Sequence, residues 1–430
     1  MLISSYNQIH TTLKFLSKAR KVASTRALRD CDVIVSTSVG AGDAQVLSAC
    51  GIITPDEEDE GDIMSMEKST TSILKRDTAP DGLPPLTLPF TIIDEACQSV
   101  EPASLIPIVS TDSCRSLVLI GDPCQLPPTV KTDNHDESLL SLPLMTRLSS
   151  TLPAPVIVTA QTDKMPCDES FLSCKATRTA QAAVSREGGT QTSYRKQFAG
   201  ALLLSVQYRM SPSIAAFSSA IFYDTLLKSP TILSNIRRFP KPLDDAFPLG
   251  TSGRRGAGVR FVNVGGCDKE QRGLRTIYDT PKTNEKRSYS NAAEAEQVMK
   301  TLEILSKDYS FNEQEQTIGI VSPYSSQVIL LKKLLEDSSL ADEFKELVEI
   351  NSVDGYQGRE RDVIILSTVR SNRKHNVGFL SDWRRMNVAI TRAKSGLIVV
   401  GDVDTLVNGD VHWRAFIDWC SSIGCVSKPI

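Results

Sequence analysis

At 430 residues the chain is longer than one ordinary core organises, which implies two domains. Hydrophobic residues at 40% and charged residues at 23% are those of a soluble globular protein and exclude a disordered polyelectrolyte. A net charge of −3 excludes whole-surface attraction to polyanions, so any nucleic-acid contact must come from local patches.

No apolar run approaches the ~18 residues that a bilayer span needs. The start, MLISSYNQIHTTLKF, lacks the basic and then apolar regions of a signal peptide. Ten cysteines occur without a CxxC pair, and four histidines leave little for a zinc site. The cysteines read as buried thiols of a reducing compartment, the nucleus or cytoplasm.

Lys14, Lys18, Arg20, Lys21, Arg26 and Arg29 form a basic N-terminal stretch, which reads as a solvated helix face. Nearly continuous apolar runs then recur: DVIVSTS from Asp32, FTIIDEA from Phe90, SLVLIGD from Ser116, ALLLSV from Ala201, IGIVSP from Ile318, DVIILSTV from Asp362 and SGLIVVGD from Ser395. Such runs predict strands of a parallel sheet buried on both faces. Between them, Ala295, Val298, Leu302 and Leu305 recur at helical spacing, as do Val328, Leu331, Leu334 and Leu335. Alternating strands and helices predict an α/β doubly wound fold. Residues 51–85 are acidic and then rich in Ser, Thr and Pro. Residues 150–199 lack a period. Both read as disordered or surface insertions, the second alternatively as a translated intron.

The run from Phe90 ends in Asp94-Glu95-Ala96-Cys97-Gln98. Carboxylates at the carboxyl end of a parallel strand sit where such sheets bind ligands. One, Asp94, can hold Mg²⁺ beside a nucleotide phosphate, and the next, Glu95, can orient or deprotonate an attacking water. The following strand runs into GDPCQLPP at residues 121–128, which predicts Gln125 at the same sheet edge. An amide there can bond a γ-phosphate and report nucleotide state.

DEACQ followed by GDPCQLPPTV resembles motifs II and III of superfamily 1B (DNA2/NAM7-like) helicases, in the subgroup of senataxin and the nonsense-mediated-decay helicase. Further motifs follow in the family's order: DVIVSTSVGAGD at residues 32–43, SVQYRMSP at 205–212, SPYSSQ from Ser322, SVDGYQGRERDVIILSTVR at 352–370 and GFLSDWRRMNVAITRAK at 378–394. The resemblance implies two RecA-like P-loop NTPase domains with parallel sheets, residues 1–205 and 206–430, closing on ATP and Mg²⁺. It implies arginine fingers at Arg209 and Arg392. Arg385, seven residues before Arg392, would share a helix face with it. Gln98, Tyr208, Gln357, Gly358 and Glu360 are implied at the nucleotide, with Tyr208 on the base, Glu360 near the ribose and Gly358 permitting close backbone approach. A single-stranded RNA or DNA track is implied at Thr37, Ser38, Pro323, Tyr324, Ser352, Asp354 and Arg370, with no membrane partner.

The sequence departs from that pattern in one respect. It contains no GxxxxGK[ST] phosphate loop, and the nearest glycine-rich pieces, at Gly188-Gly189 and around Gly256, lack a lysine at the right offset. The first RecA-like domain is therefore expected to be incomplete at its N-terminus, as in a truncated chain. Two functions follow: the C-terminal motor portion of an ATP-dependent helicase moving 5′ to 3′ on single strands, or a non-catalytic nucleic-acid- or protein-binding relative that has lost hydrolysis.

Overall fold

The computed structural model describes residues 2–52, 77–109, 113–130, 139–151, 166–186, 202–250, 253–266, 269–272, 288–308 and 316–430. The chain divides into two compact units, Met1–Pro123 with Pro127–Leu148, and Cys124–Leu126 with Ser149–Ile430.

The second unit is built on β3 (Val259–Asn263), β6 (Ile318–Ser322), β7 (Val348–Ser352), β8 (Arg361–Ser367), β9 (Ala393–Gly401) and β10 (Val426–Ser427). They pair in the order β10-β3-β9-β8-β6-β7, every pair parallel. The central runs are apolar because both faces are covered: Val363, Ile364, Ile365, Ile398, Val399 and Val400 are all fully buried. The helix Ala292–Ser306 covers one face with Ala295, Val298, Leu302 and Leu305, each fully buried. Burying each such valine or leucine contributes roughly 1.5–3 kcal/mol. The helix Pro212–Phe222 is buried at all of its residues, so its small and apolar side chains carry no polar stripe. Phe217 in that helix packs edge-on against Phe416, with ring centroids 5.0 Å apart.

The sheet turns at β6. The chain leaves β6 for β7 on one side, then crosses back over β6 to β8 on the other. That crossover is short and contains no α-helix. Gly319 of β6 makes room for it: a Cβ there would meet the Tyr356 hydroxyl at 2.4 Å and Ile364 Cδ1 at 2.5 Å.

The run VRFVN of β3 gave no strand signal because a cation interrupts it. Arg260 is fully buried, with Nε donating to Phe247 O at 2.7 Å and Nη1 to Ala257 O and Val259 O at 2.9 and 2.8 Å. Its Nη2 bonds Asp244, and its plane lies 4.5 Å from the Phe239 ring centroid. Four of its five N–H donors are met in this way, and the carboxylate pairs its charge, the conditions under which a guanidinium can be buried.

Part of the segment read as an insertion is packed structure. The helix Lys175–Arg186 buries Thr177, Ala180 and Val184. Trp419 Nε1 donates to Thr177 Oγ1 at 2.9 Å. Its contact residues are small, so the apolar period that would have announced it is weak. Residues 152–165 and 187–201, the rest of that segment, lie outside the described residues, as do 53–76 of the first proposed insertion.

The first unit holds a two-stranded parallel sheet, β1 (Phe90–Ile93) beside β2 (Ser116–Leu119). The N-terminal helix Leu2–Arg29 ends in an ion pair, Arg29 Nε to Asp81 Oδ2 at 2.9 Å. Lys18 and Arg20 on this helix are exposed, as its reading as a solvated face requires. The run from Asp32 forms no strand: Val33 is 74% and Val35 90% exposed. ALLLSV likewise makes one isolated bridge, Val206 to Lys228. These are strand-type sequences without ladder neighbours among the described residues. A short antiparallel pair, β4 (Gln271–Arg272) and β5 (Tyr289–Ser290), lies beyond β3. Among the described residues no helix is long and apolar enough to cross a membrane.

Candidate functional site

In the first unit, β1 ends at Ile93 and delivers two exposed carboxylates, Asp94 and Glu95, side by side. Glu95 takes a left-handed backbone, φ 52°, which a non-glycine residue seldom adopts. Its N–H donates to Asp94 Oδ1 at 2.9 Å, and Gln98 Nε2 donates to Glu95 Oε2 at 2.5 Å. Gln98 therefore orients Glu95. The turn is tied to the strand preceding the GDPCQ loop by Ala96 N–H to Ile120 O at 2.8 Å. Thr37 and Ser38 sit in the turn before the short helix Ala44–Ala49, where the Thr37 hydroxyl accepts from Gly40 N–H at 2.9 Å.

The GDPCQ loop passes from one unit to the other at Cys124. Asn387 Nδ2 donates to Cys124 O at 2.8 Å, and Cys124 Sγ donates to Phe222 O at 3.2 Å. Gln125, expected beside Asp94 and Glu95, belongs to the second unit, where its Oε1 accepts from Arg392 Nη2 at 3.4 Å.

A cationic cluster forms at the amino ends of β8 and β9. The Gln207 side chain staples the QYRM turn, accepting from the N–H groups of Arg209 and Met210 at 2.9 and 2.7 Å and donating to Met210 O at 2.8 Å. Arg209 Nε then meets Glu360 Oε2 at 2.6 Å, and Nη1 meets Thr391 O at 3.1 Å. Arg392 follows directly. It is 2% exposed, with Nε on Val388 O at 2.9 Å and Nη2 on Thr391 Oγ1 at 3.1 Å. Lys394 Nζ lies 3.3 Å from Glu360 Oε1. Burial pushes the Glu360 carboxyl up, but hydrogen bonds and charge from Arg209 and Lys394 outweigh it and hold it below the ordinary glutamate value. Arg209, Arg392 and Lys394 outnumber that one carboxylate, so the edge carries surplus positive charge. Tyr208 is 56% exposed beside it.

Gln357 carries a buried Nε2 with no hydrogen-bond partner among the described residues. Gly358 has φ 73° and open space where a Cβ would stand. The left-handed backbone there favours glycine.

The remaining predicted residues lie at the opposite edge. Because the strands are parallel, the seven residues of β8 separate its two ends by roughly 20 Å. At its carboxyl end, Pro323 leads to Tyr324, which is 2% exposed and donates to Val377 O at 3.2 Å. The Tyr324 ring is thus core and cannot stack on a base. The Ser352 hydroxyl accepts from Gly355 N–H at 3.1 Å. Arg370 is 5% exposed and paired with Glu270, Nε to Oε2 at 2.8 Å. Asp354 pairs with Arg385, Oδ1 to Nε at 3.2 Å, and Asp382 holds the same guanidinium at 3.2 Å. Arg385 stands in the first turn of the helix Trp383–Ile390, while Arg392 lies beyond its last residue. The two arginines therefore face different edges.

Gln207, Asn387 and Lys394 were not singled out from sequence. Asn387 carried a signal, a polar residue between Met386 and Val388 in a buried helix, where an amide must find partners.

A family profile described as an AAA domain (AAA_12) matches residues 191–404, and a second AAA domain profile (AAA_11) matches residues 81–133. The chain is 32% identical over 343 residues to "DNA polymerase alpha-associated DNA helicase A" of Saccharomyces cerevisiae, covering 79% of this chain and 42% of that protein. It is 29% identical to "Helicase sen1" of Schizosaccharomyces pombe, covering 80% of this chain and 16% of that protein. It is also 29% identical to "Regulator of nonsense transcripts 1 homolog" of Drosophila melanogaster, covering 93% and 25%. The chain spans less than half the length of these curated relatives. Its motifs, its parallel α/β sheets and these matches agree: the chain belongs to the DNA2/NAM7-like superfamily 1 helicases.

Proposed function

We propose that this chain is the C-terminal motor portion of an ATP-dependent RNA or DNA helicase of the nucleus or cytoplasm, which couples hydrolysis to 5′-to-3′ movement on single strands. The observation that carries the reading is the meeting of Arg209 and Arg392 at one residue, Thr391, with Glu360 and Lys394 beside them. Surplus cation at one edge is what a γ-phosphate needs as charge builds on its oxygens. Asp94 offers the exposed hard oxygen that suits Mg²⁺, which when bound supplies further charge to the phosphates. Glu95, oriented by Gln98, is the group to hold the proton of the attacking water. Gln125, whose Oε1 accepts from Arg392, supports a role in reporting nucleotide state. The unpartnered Nε2 of Gln357 fits a ligand acceptor. Thr37 and Ser38 in the first unit, and Pro323, Ser352, Asp354 and Arg370 in the second, are each candidate strand contacts, with the Tyr324 contribution confined to its backbone.

The absence of GxxxxGK[ST] from these 430 residues favours a second reading for the isolated chain, strand binding without hydrolysis. A steady-state phosphate-release assay with and without poly(U) separates the two. The chain alone should show negligible turnover, since loss of a single electrostatic group commonly costs on the order of 10²-fold. The same chain joined to an upstream phosphate-loop segment should show turnover stimulated by poly(U) and abolished by Glu95→Gln. Turnover that survives Glu95→Gln would overturn the assignment of that carboxylate.

A further inference from the structure

Four donors converge on the Glu270 carboxylate. Arg370 Nε reaches Oε2 at 2.8 Å and Nη2 reaches Oε1 at 3.2 Å, a bidentate fork. Ser371 N–H donates to Oε2 at 2.8 Å, and Asn372 Nδ2 donates at 3.0 Å. A guanidinium fork, a backbone N–H and a side-chain amide aimed at one point form an anion site, suited to phosphate as well as to carboxylate.

The donors and the acceptor have different standing in the fold. The donors follow β8 directly, in the buried sheet. The turn before them is fixed independently of Glu270: Val369 takes φ 71° and its N–H donates to the buried Glu294 Oε2 at 2.8 Å. Ser371 Oγ donates to Asp402 Oδ2 at 2.7 Å, and Asn372 N–H to Thr405 Oγ1 at 2.9 Å. Tyr289 stacks on the Arg370 guanidinium, 4.4 Å from its centroid to the cation. The cradle is thus preformed by several contacts besides the carboxylate. Glu270 lies between β3 and the two-residue strand β4, on a different segment from the turn that carries the donors.

We propose that Glu270 is an internal stand-in for a nucleic-acid phosphate: it fills the cradle of Arg370, Ser371 and Asn372 in the free protein and is displaced by a phosphodiester of the bound strand. The inference rests on the reading that Arg370 belongs to the strand track. It adds that the track is closed at this point until a strand opens it. Exchange replaces one anion by another, so the buried guanidinium is never left without a partner, the condition that would be most costly. The plug lowers affinity for strands and for stray anions alike, and it makes binding depend on phosphates elsewhere to offset its release.

The test is anisotropy of a labelled 20-nucleotide oligo(U) with the full chain over a range of salt, comparing wild type, Glu270→Gln and Asn372→Ala. The glutamine keeps the size of the plug and removes its charge. Glu270→Gln should bind about tenfold more tightly, with a salt slope steeper by about one, because in wild type the displaced carboxylate takes up a cation that offsets one released from the phosphate. Asn372→Ala should bind more weakly than wild type. Thermal melts of all three identify any loss of folding, and Glu270→Asp, which keeps the charge, should stay near wild type. If wild type binds and Glu270→Gln binds equally or more weakly with an unchanged slope, Glu270 is a structural clamp and the proposal fails while the strand track stands. If folded wild type and both variants all fail to bind, the track reading fails and takes the proposal with it.

Discussion

β1 and β2 in the first unit and β8 and β9 in the second are written in the same alphabet, FTII and SLVL against DVIILS and SGLIVVG. Their environments differ. Phe90 is 76% exposed and Ile92 68%, whereas Ile365 and Ile398 are fully buried. β8 and β9 have neighbours on both sides and helices on the faces of their sheet. The apolar run alone sets a propensity to extend; the ladder and the covering helices convert that propensity into burial.

The largest expected effect tests that contrast directly. Phe217→Ala in the buried helix should cost about 3–5 kcal/mol, as aromatic truncation in a closed core does. Ile92→Ala in β1 should change stability by about 0.5 kcal/mol or less, as exposed positions do. Urea unfolding followed by tryptophan fluorescence measures the first, and circular dichroism both. Equal costs would mean that Ile92 is buried in solution.

A smaller effect concerns Glu294, which is fully buried and accepts from Ser367 Oγ at 2.7 Å and Val369 N–H at 2.8 Å. Burial, helped by the charge of Asp402, outweighs these hydrogen bonds and pushes its carboxyl up to about 8. Its folded value lies above its unfolded one. Its contribution to stability is therefore complete below about pH 4.5 and is lost as pH rises through about 8. Between pH 5 and 8 the unfolding midpoint of wild type should fall by roughly 5 °C more than that of Glu294→Gln, read by calorimetry. Parallel curves would place a charged, solvated carboxylate there.

The smallest effect returns to the first unit. Ile92→Lys and Val118→Lys should leave the melting temperature within about 2 °C and raise solubility, because they break an exposed apolar face. Static light scattering at increasing concentration checks it. A collapse of stability would show that this face is covered.

Five of the apolar runs became strands, and Asp94, Glu95, Arg209 and Arg392 were singled out because the motifs carry them. Other features depended on tertiary partners. Arg260 interrupts β3, and its neutralising carboxylate, Asp244, comes from outside the strand. The alternation in VEINS of β7 is that of an edge strand and matched no continuous run. The helix Lys175–Arg186 packs through Thr177 and Ala180, too small to mark a face. Past the carboxyl ends of β6 and β8, the sequence carried no sign that Tyr324 is core and Arg370 is held by Glu270. Such facts lie in the choice of partner, which spacing does not encode.

The position of β3 governs how this sheet is assembled. Its ladder neighbours are β9 and β10, Val259 standing against Leu397 and Phe261 against Val426. β6, β7 and β8 can pair with one another as soon as each leaves the ribosome. β3, made before all of them, has no described partner until β9 has been synthesised. It must wait as an unpaired apolar strand while its juniors settle, and long-range parallel pairing of this kind is slow. The interval in which Val259–Asn263 lies open is the time during synthesis when this polypeptide is most in need of a chaperone.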